Sequence, residues 1–289
     1  MTIATIDIGG TGIKFASLTP DGKILDKAST PTPETLEDLL AWLDQRLSER
    51  DYRGIAMSVP GAVHQETGVI EGISAIPYIH GFSWYEALSH HKLPVHLEND
   101  ANCVGLSELL AHPEIENAAC VVIGTGIGGA MIINGKLHRG HHGLGGEFGY
   151  MTTIEPAEKL NNWSQLASTG SMVRYVIEKS GQSDWDGRKV YQEAAAGNAL
   201  CQEAIERMNR NLAQGLLNIQ YLIDPDVISL GGSISQNPDF IKGVQKAVDA
   251  FVDRYEEYTI APVIQACIYQ ADANLYGALV NWLQEENQW

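Results

Sequence analysis

The chain has 289 residues, 44% of them hydrophobic, enough for one large or two medium cores; a disordered tail or a disulfide-stapled miniprotein is excluded. Its 19 basic side chains against 36 acidic ones leave a formal charge of −17, a field that repels nucleic acid and anionic membrane surfaces. Cys103, Cys120, Cys201 and Cys267 form no Cys-x-x-Cys pair and read as reduced thiols. With no basic leader before the first apolar run and no uninterrupted spanning stretch, the expected location is cytoplasmic.

In chain order, residues 3–8 read as a strand, Gly9-Gly10-Thr11-Gly12 as a sharp turn, 13–18 as a second strand and 23–28 as a third. Leu36, Leu39, Leu40, Leu43 and Leu47 recur at helical spacing behind Pro33, which predicts an amphipathic helix over 35–50. Strands are expected at 53–59 and 95–97, with a helix at 100–111. The opening pattern then recurs: a strand at 118–123, the turn Gly124-Thr125-Gly126-Ile127-Gly128-Gly129, and a returning strand at 130–133. Helices follow at 164–180, 187–196 and 198–223, a strand at 227–230 ending in Gly231-Gly232, a helix at 238–254, a strand at 262–266 and a closing helix at 272–285. Two halves that start alike indicate an internal duplication. The expected domains are 1–117, joined by the closing segment 272–289, and 118–271, packed around a cleft.

Both glycine-rich turns lead from strand to strand, unlike a P-loop or a dinucleotide fingerprint, where the glycines open a helix. Their backbone N–H groups can still cradle an anion, and glycine lets phosphate oxygens approach the main chain. Thr11 and Thr125 each add a hydroxyl. One such turn is an ordinary hairpin; its repetition favours a phosphate clamp. His138, His141 and His142 cluster without thiolate or carboxylate partners at ligand spacing, as expected of a surface hairpin rather than a metal site.

Asp7-Ile-Gly-Gly-Thr11, Glu98-Asn-Asp-Ala-Asn102, Gly124-Thr-Gly-Ile-Gly-Gly129, Gly145-Gly-Glu-Phe-Gly149 and Leu230-Gly-Gly-Ser233 occur in the order seen in ROK sugar kinases, which the chain resembles over essentially its whole length. The resemblance implies an α/β fold of the two-domain, actin-like ATPase (ribonuclease-H-like) type, with ATP and Mg²⁺ as cofactors, a small sugar as substrate and a homodimer as assembly. It makes Asp100 the base that takes the proton of the attacking hydroxyl, although Asn99-Asp100 also suits a plain helix cap. It places Gly61, Asn99, Asp100 and Glu147 on the sugar. Asp7, Gly9, Gly10, Thr11, Gly124, Thr125, Gly126, Gly231 and Gly232 fall on ATP, with Asp7 holding Mg²⁺ through water. The family's repressors carry a DNA-binding segment ahead of the first strand; here that strand begins at residue 3, and none is expected.

Two departures stand out. Tyr150 occupies the place of a family histidine, and 161–170 lacks the cysteine run that together with it binds a structural zinc, so no structural zinc is expected. Ser164 aligns with a larger, sugar-contacting glutamate of the family. Tyr150 and Ser164 at the sugar would leave room for a substituent, as in the zinc-less β-glucoside kinases of the family, with transfer to O6 of a hexose or glucoside. Trp163 is either a platform for a second sugar ring or core. The rival readings are a non-catalytic sugar sensor and an ATPase doing conformational work; the retained Asp7, Thr11, Asp100 and Thr125 count against the first, and the Glu-Asn-Asp-Ala motif against the second.

Overall fold

The computed structural model describes residues 2–154, 160–254 and 260–289. The elements are β1 (Ile3–Ile8), β2 (Gly12–Leu18), β3 (Ile24–Pro31), α1 (Leu36–Leu47), β4 (Ile55–Val59), β5 (Ala62–His64), β6 (Val69–Glu71), α2 (Trp84–Ala87), β7 (Val95–Asn99), α3 (Asp100–Ala111), β8 (Ala118–Ile123) and β9 (Ile127–Ile133). They continue with β10 (Lys136–Leu137), β11 (Thr152–Ile154), β12 (Leu160–Asn162), α4 (Trp163–Ala167), α5 (Thr169–Ser180), α6 (Gly187–Ala195), α7 (Ala199–Ile223), β13 (Val227–Gly231), α8 (Pro238–Val252), β14 (Ile264–Ala266) and α9 (Ala273–Glu285). Among the described residues no helix is long and apolar enough to cross a membrane.

Two compact units result. The first takes the chain up to Glu114 together with Leu137–Gly145 and Ala271–Trp289; the second takes Ile115–Lys136 and Gly146–Gln270. Each holds a five-stranded sheet, in the order β3-β2-β1-β4-β7 in one and β10-β9-β8-β13-β14 in the other. In each, the first strand of the unit runs antiparallel to its hairpin neighbour and parallel to the strand on its other side. The repeated sequence pattern is thus a repeated topology.

In the first unit every residue of β1 and β4 is buried, as expected for strands covered on both faces. The two-residue period of β1 sends Ala4, Ile6 and Ile8 toward Leu39, Leu43 and Leu47 of α1, while Ile3 joins Leu275, Leu279 and Trp282 of α9 on the other face. Asp7 shares the face of Ile3. Thr35 caps α1, its hydroxyl accepting from the Asp38 N–H at 3.1 Å.

In the second unit the 25-residue α7 and the helix α8 cover the sheet, with Leu212, Leu216, Phe240 and Val244 meeting Val121, Ile228 and Leu230 in one core. The single helix expected over 164–180 is two helices, because Ser168 is extended (φ −81°, ψ 161°) and caps α5 through its side chain. The returning strand begins at Ile127 rather than at 130, since Gly128 and Gly129 pair with Val122 and Val121. The short β5–β6 hairpin and α2 carry too little periodicity to be read from the sequence.

Contact between α3 and α9 depends on one missing side chain: a Cβ at Gly277 would lie 1.7 Å from the Cys103 carbonyl oxygen. In an open helix, replacing glycine by alanine gains roughly 1 kcal/mol; here the clash outweighs that gain. Gly277→Ala is expected to lower stability by about 1–3 kcal/mol, read as an earlier urea midpoint, and an unchanged or later midpoint would contradict this packing.

Candidate active site

Asp7 ends β1 almost wholly buried, 6% exposed. Its Oδ2 accepts from Lys14 Nζ at 3.0 Å and its Oδ1 from Asn274 Nδ2 at 2.9 Å. Lys14 also donates to the Ala271 carbonyl at 2.6 Å. Asp7 and Lys14 stand directly opposite each other in the β1–β2 register, a cross-strand charge pair that fixes the carboxylate. The turn between them is closed by the Gly9 N–H on the Gly12 carbonyl at 3.1 Å, and Gly10 and Thr11 are exposed at its tip.

Beside this turn lies a cavity of about 470 Å³ lined by Asp7, Gly9, Gly10, Thr11, Lys14 and Asp100, among others. Five of these residues were singled out from the sequence; the fold of the first unit gathers them. Lys14 was missed, although the hairpin register, once assumed, places it opposite Asp7.

Asp100 opens α3 directly after β7. The cap itself is Asn99, whose Oδ1 accepts from the N–H groups of Ala101 at 2.9 Å and Asn102 at 3.2 Å, while its Nδ2 donates to the Gly61 carbonyl at 3.1 Å. Asp100 Oδ1 also accepts from the Ala101 N–H, at 2.8 Å, so both residues serve the helix end, and Asp100 in addition lines the cavity. Burial pushes the Asp100 carboxyl above the usual carboxylate range; the Ala101 N–H pulls it back, and the negative charge of Asp7 adds to the rise. The residue keeps part of its surface open to solvent, so a proton taken up there has an exit.

Glu98, 2% exposed, organises this corner. Its Oε1 accepts from the Asn99 N–H at 2.8 Å and Asn102 Nδ2 at 2.9 Å, and its Oε2 from Arg139 Nε at 2.6 Å. Arg139 also donates to Asn281 Oδ1 at 2.8 Å and Glu285 Oε1 at 2.9 Å. Buried and multiply bonded, Glu98 is held as a charged anchor by a paired cation. Neither role was read from the sequence.

In the second unit, Gly124, Thr125 and Gly126 form an exposed turn closed by the Gly124 N–H on the Gly126 carbonyl at 2.9 Å. The start of α5 is tied to it: Ser168 Oγ donates to the Thr125 carbonyl at 3.0 Å and the Gly170 N–H to the Gly124 carbonyl at 3.1 Å. Gly231 pairs with Val122, and Gly232, at φ 88°, lies so near the Ile123 carbonyl that a Cβ would come within 2.1 Å of it. The four glycines thus sit together at the ends of β8 and β13.

Glu147 follows Gly146 into a single helical turn, Phe148–Tyr150, and is half-buried. Gly149 lets that turn press on β9, where a Cβ would meet the Ile127 carbonyl at 2.0 Å. Tyr150 is 72% exposed. Ser164 Oγ accepts from the Ile127 N–H at 2.9 Å and donates to the Ile127 carbonyl at 3.3 Å, and the residue lines a cavity of about 660 Å³ together with Thr125. Trp163 is core, 1% exposed, with Nε1 donating to the Asn211 carbonyl at 2.8 Å and its ring over Gly215 of α7. Among the described residues the one trio of metal-ligand side chains drawn together is Asp44, His90 and His91, with both Nε2 atoms on Asp44 Oδ1; His138, His141 and His142 form none.

Residues 3–285 match the ROK family. The β-glucoside kinase of Listeria monocytogenes is 34% identical over 300 aligned residues that cover 100% of this chain and 99% of that protein. The β-glucoside kinase of Klebsiella pneumoniae is 31% identical over 98% of this chain and 97% of its own. A ROK family protein from Streptococcus pneumoniae TIGR4, solved in complex with sucrose, is 88% identical with a TM-score of 0.98, 100% of both chains being covered. The chain belongs to the ROK family and has its actin-like ATPase fold.

A raised carboxylate binds its proton more tightly in the folded state, so its penalty grows as pH rises from the unfolded value, near 4, through the folded one. Asp100→Asn is therefore expected to raise the thermal midpoint above wild type at pH 7–8, with the gain vanishing toward about pH 4. A variant less stable at pH 8, or equally stabilised at both pH values, would contradict the burial of this charge.

Proposed function

We propose that this ROK-family sugar kinase transfers the γ-phosphoryl group of ATP to O6 of a hexose or β-glucoside, with Asp100 as general base. The observation that carries the reading is that Asp7 and Asp100 line one cavity with a glycine turn and a lysine. Phosphoryl transfer needs positioning and charge neutralisation more than covalent help, and those are the groups that supply them.

In this reading Asn99, fixed by its cap and by Gly61, orients the sugar, and Asp100 accepts the hydroxyl proton as oxygen attacks the γ-phosphorus. The bond to the β–γ bridging oxygen breaks, and its electrons leave with ADP. A carboxyl held above its usual range is a better proton acceptor at neutral pH than an ordinary aspartate. Gly10 and Thr11 present backbone and hydroxyl donors to the phosphates, and Gly9, whose N–H closes the turn on Gly12, keeps the approach clear of a side chain. Lys14 offers a positive charge beside them. Gly124, Thr125, Gly126, Gly231 and Gly232 take the remaining phosphates and the adenosine. On the family pattern, Glu147 and Tyr150 are further sugar ligands.

The donor set suits Mg²⁺, which takes oxygen ligands and keeps several waters. Lys14 and Asn274 each occupy one acceptor site on the Asp7 oxygens, and each oxygen has a second lone pair for a metal-bound water. When bound, the ion supplies neutralisation of the phosphate charge. A zinc-free core, a cytoplasmic location and a homodimer complete the proposal. The β-glucoside acceptor is supported by the kinases at 34% and 31% identity, and a two-ring sugar by the sucrose complex of the 88% identical protein.

The test is ADP release with ATP and Mg²⁺ across glucose, N-acetylmannosamine, N-acetylglucosamine, cellobiose and gentiobiose, with the product located by NMR. The expected result is a 6-phosphate, best on a β-glucoside, from a preparation whose elemental analysis shows no stoichiometric zinc. Sugar binding without ADP release on any of them would make the protein a sensor.

A further inference from the structure

We propose that Asp44, His90 and His91 form a surface binding site for a divalent first-row transition cation, of which Zn²⁺ is the probe. The site is separate from the phosphate and sugar residues and does not rest on the kinase reading. Its residues belong to the first unit and come from α1 and from the single helical turn Ser89–His91 that follows α2, 46 and 47 positions apart in the chain.

Tertiary packing, and not local sequence, brings the ligand atoms together. Leu43, beside Asp44, and Leu88, just ahead of the helical turn, are fully buried in one core, so the two backbones that carry the ligands are fixed before an ion arrives. The turn is closed by the His91 N–H on the Leu88 carbonyl at 3.1 Å and the Lys92 N–H on the Ser89 carbonyl at 3.0 Å. Nε2 of His90 and Nε2 of His91 both lie on Asp44 Oδ1, at 3.0 and 2.7 Å, and the two rings are tilted against each other with centroids 4.1 Å apart. Among the described residues neither Asp44 Oδ2 nor either Nδ1 has a protein partner. Two imidazoles thus converge on one oxygen of a carboxylate whose other oxygen takes neither, which is the arrangement of ligands around a point.

All three ligand atoms fall within 4.8 Å of one another. Around a tetrahedral zinc with bonds of about 2.0–2.1 Å, ligand atoms stand roughly 3.3–3.4 Å apart, so an opening of less than about 1 Å admits the ion. Binding places each imidazole proton on Nδ1 and gives both Nε2 lone pairs and one Oδ1 pair to the metal, with water in the fourth position. Two imidazoles and a carboxylate suit zinc and its neighbours, whereas Mg²⁺ takes oxygen ligands. The net charge of −17 favours cations at the surface. Histidines of permanent metal sites pass their second nitrogen to a carboxylate or carbonyl; without that support, and with His90 exposed, the ion exchanges and a chelator removes it, which is compatible with a core free of structural zinc. When bound, it clips α1 to the connection that leads into β7 and stabilises the folded chain by mass action.

The experiment titrates the intact, chelator-washed protein with ZnCl₂ by calorimetry and follows the thermal midpoint, alongside Asp44→Asn and the double variant His90→Ala, His91→Ala. Asparagine keeps an oxygen for the imidazoles and removes the charge, and midpoints without metal show that the variants are folded. The expected result is one zinc per chain, an affinity that falls more than about tenfold in each variant, a midpoint that rises with zinc in the wild type, and zinc binding that survives an excess of MgCl₂. Absence of zinc binding, unchanged affinity in both variants, or displacement of the zinc by Mg²⁺ overturns the site. None of these readouts depends on ADP release, so the kinase reading can fail without deciding this one.

Discussion

The buried carboxylate of Glu98 is the constraint on which the candidate site depends. A charge 2% exposed survives only when its lone pairs are filled by charge-assisted donors, and here those donors are the parts that must be placed: the Asn99 backbone, the Asn102 amide and the Arg139 guanidinium. With Glu98 anchored, Asn99 caps α3 and grips Gly61, and Asp100 is delivered into the cavity with Asp7. Asn99 carries the cap, and Asp100, although its Oδ1 also accepts from the Ala101 N–H at 2.8 Å, is held by burial in a setting that raises its proton affinity.

Asp7 shows the same division of labour. Lys14 and Asn274 fix its two oxygens, so the carboxylate is oriented before any ligand arrives. Arg139 links further: it reaches Glu98 from residues 137–145, a short piece of chain assigned to the first unit while the residues on either side of it belong to the second. One guanidinium thus ties three stretches of the first unit, β7, the 137–145 segment and α9.

What the sequence made legible was local. The strand–turn–strand repeat, the leucine spacing of α1 and the Asp7-to-Thr11 and Glu98-to-Asn102 runs are each written within one short stretch of chain, where dihedral preference and periodicity act. What it hid is carried by distance along the chain. Arg139 meets Glu98 across 41 positions and Asn274 meets Asp7 across 267, and no local pattern marks either pair. Ser168 breaks the helix expected over 164–180, because its backbone is extended and its side chain caps the next helix. Trp163, an amphipathic ring, was ambiguous by nature, and tertiary contacts with Asn211 and Gly215 place it in the core.

The most direct measurement is single-turnover phosphoryl transfer by Asp100→Asn, alongside sugar binding by calorimetry on the same protein. A base that takes the hydroxyl proton contributes about 10²–10⁴ in rate. The account predicts a loss of that size with sugar affinity kept within a few-fold. Near-full transfer by the variant would contradict it.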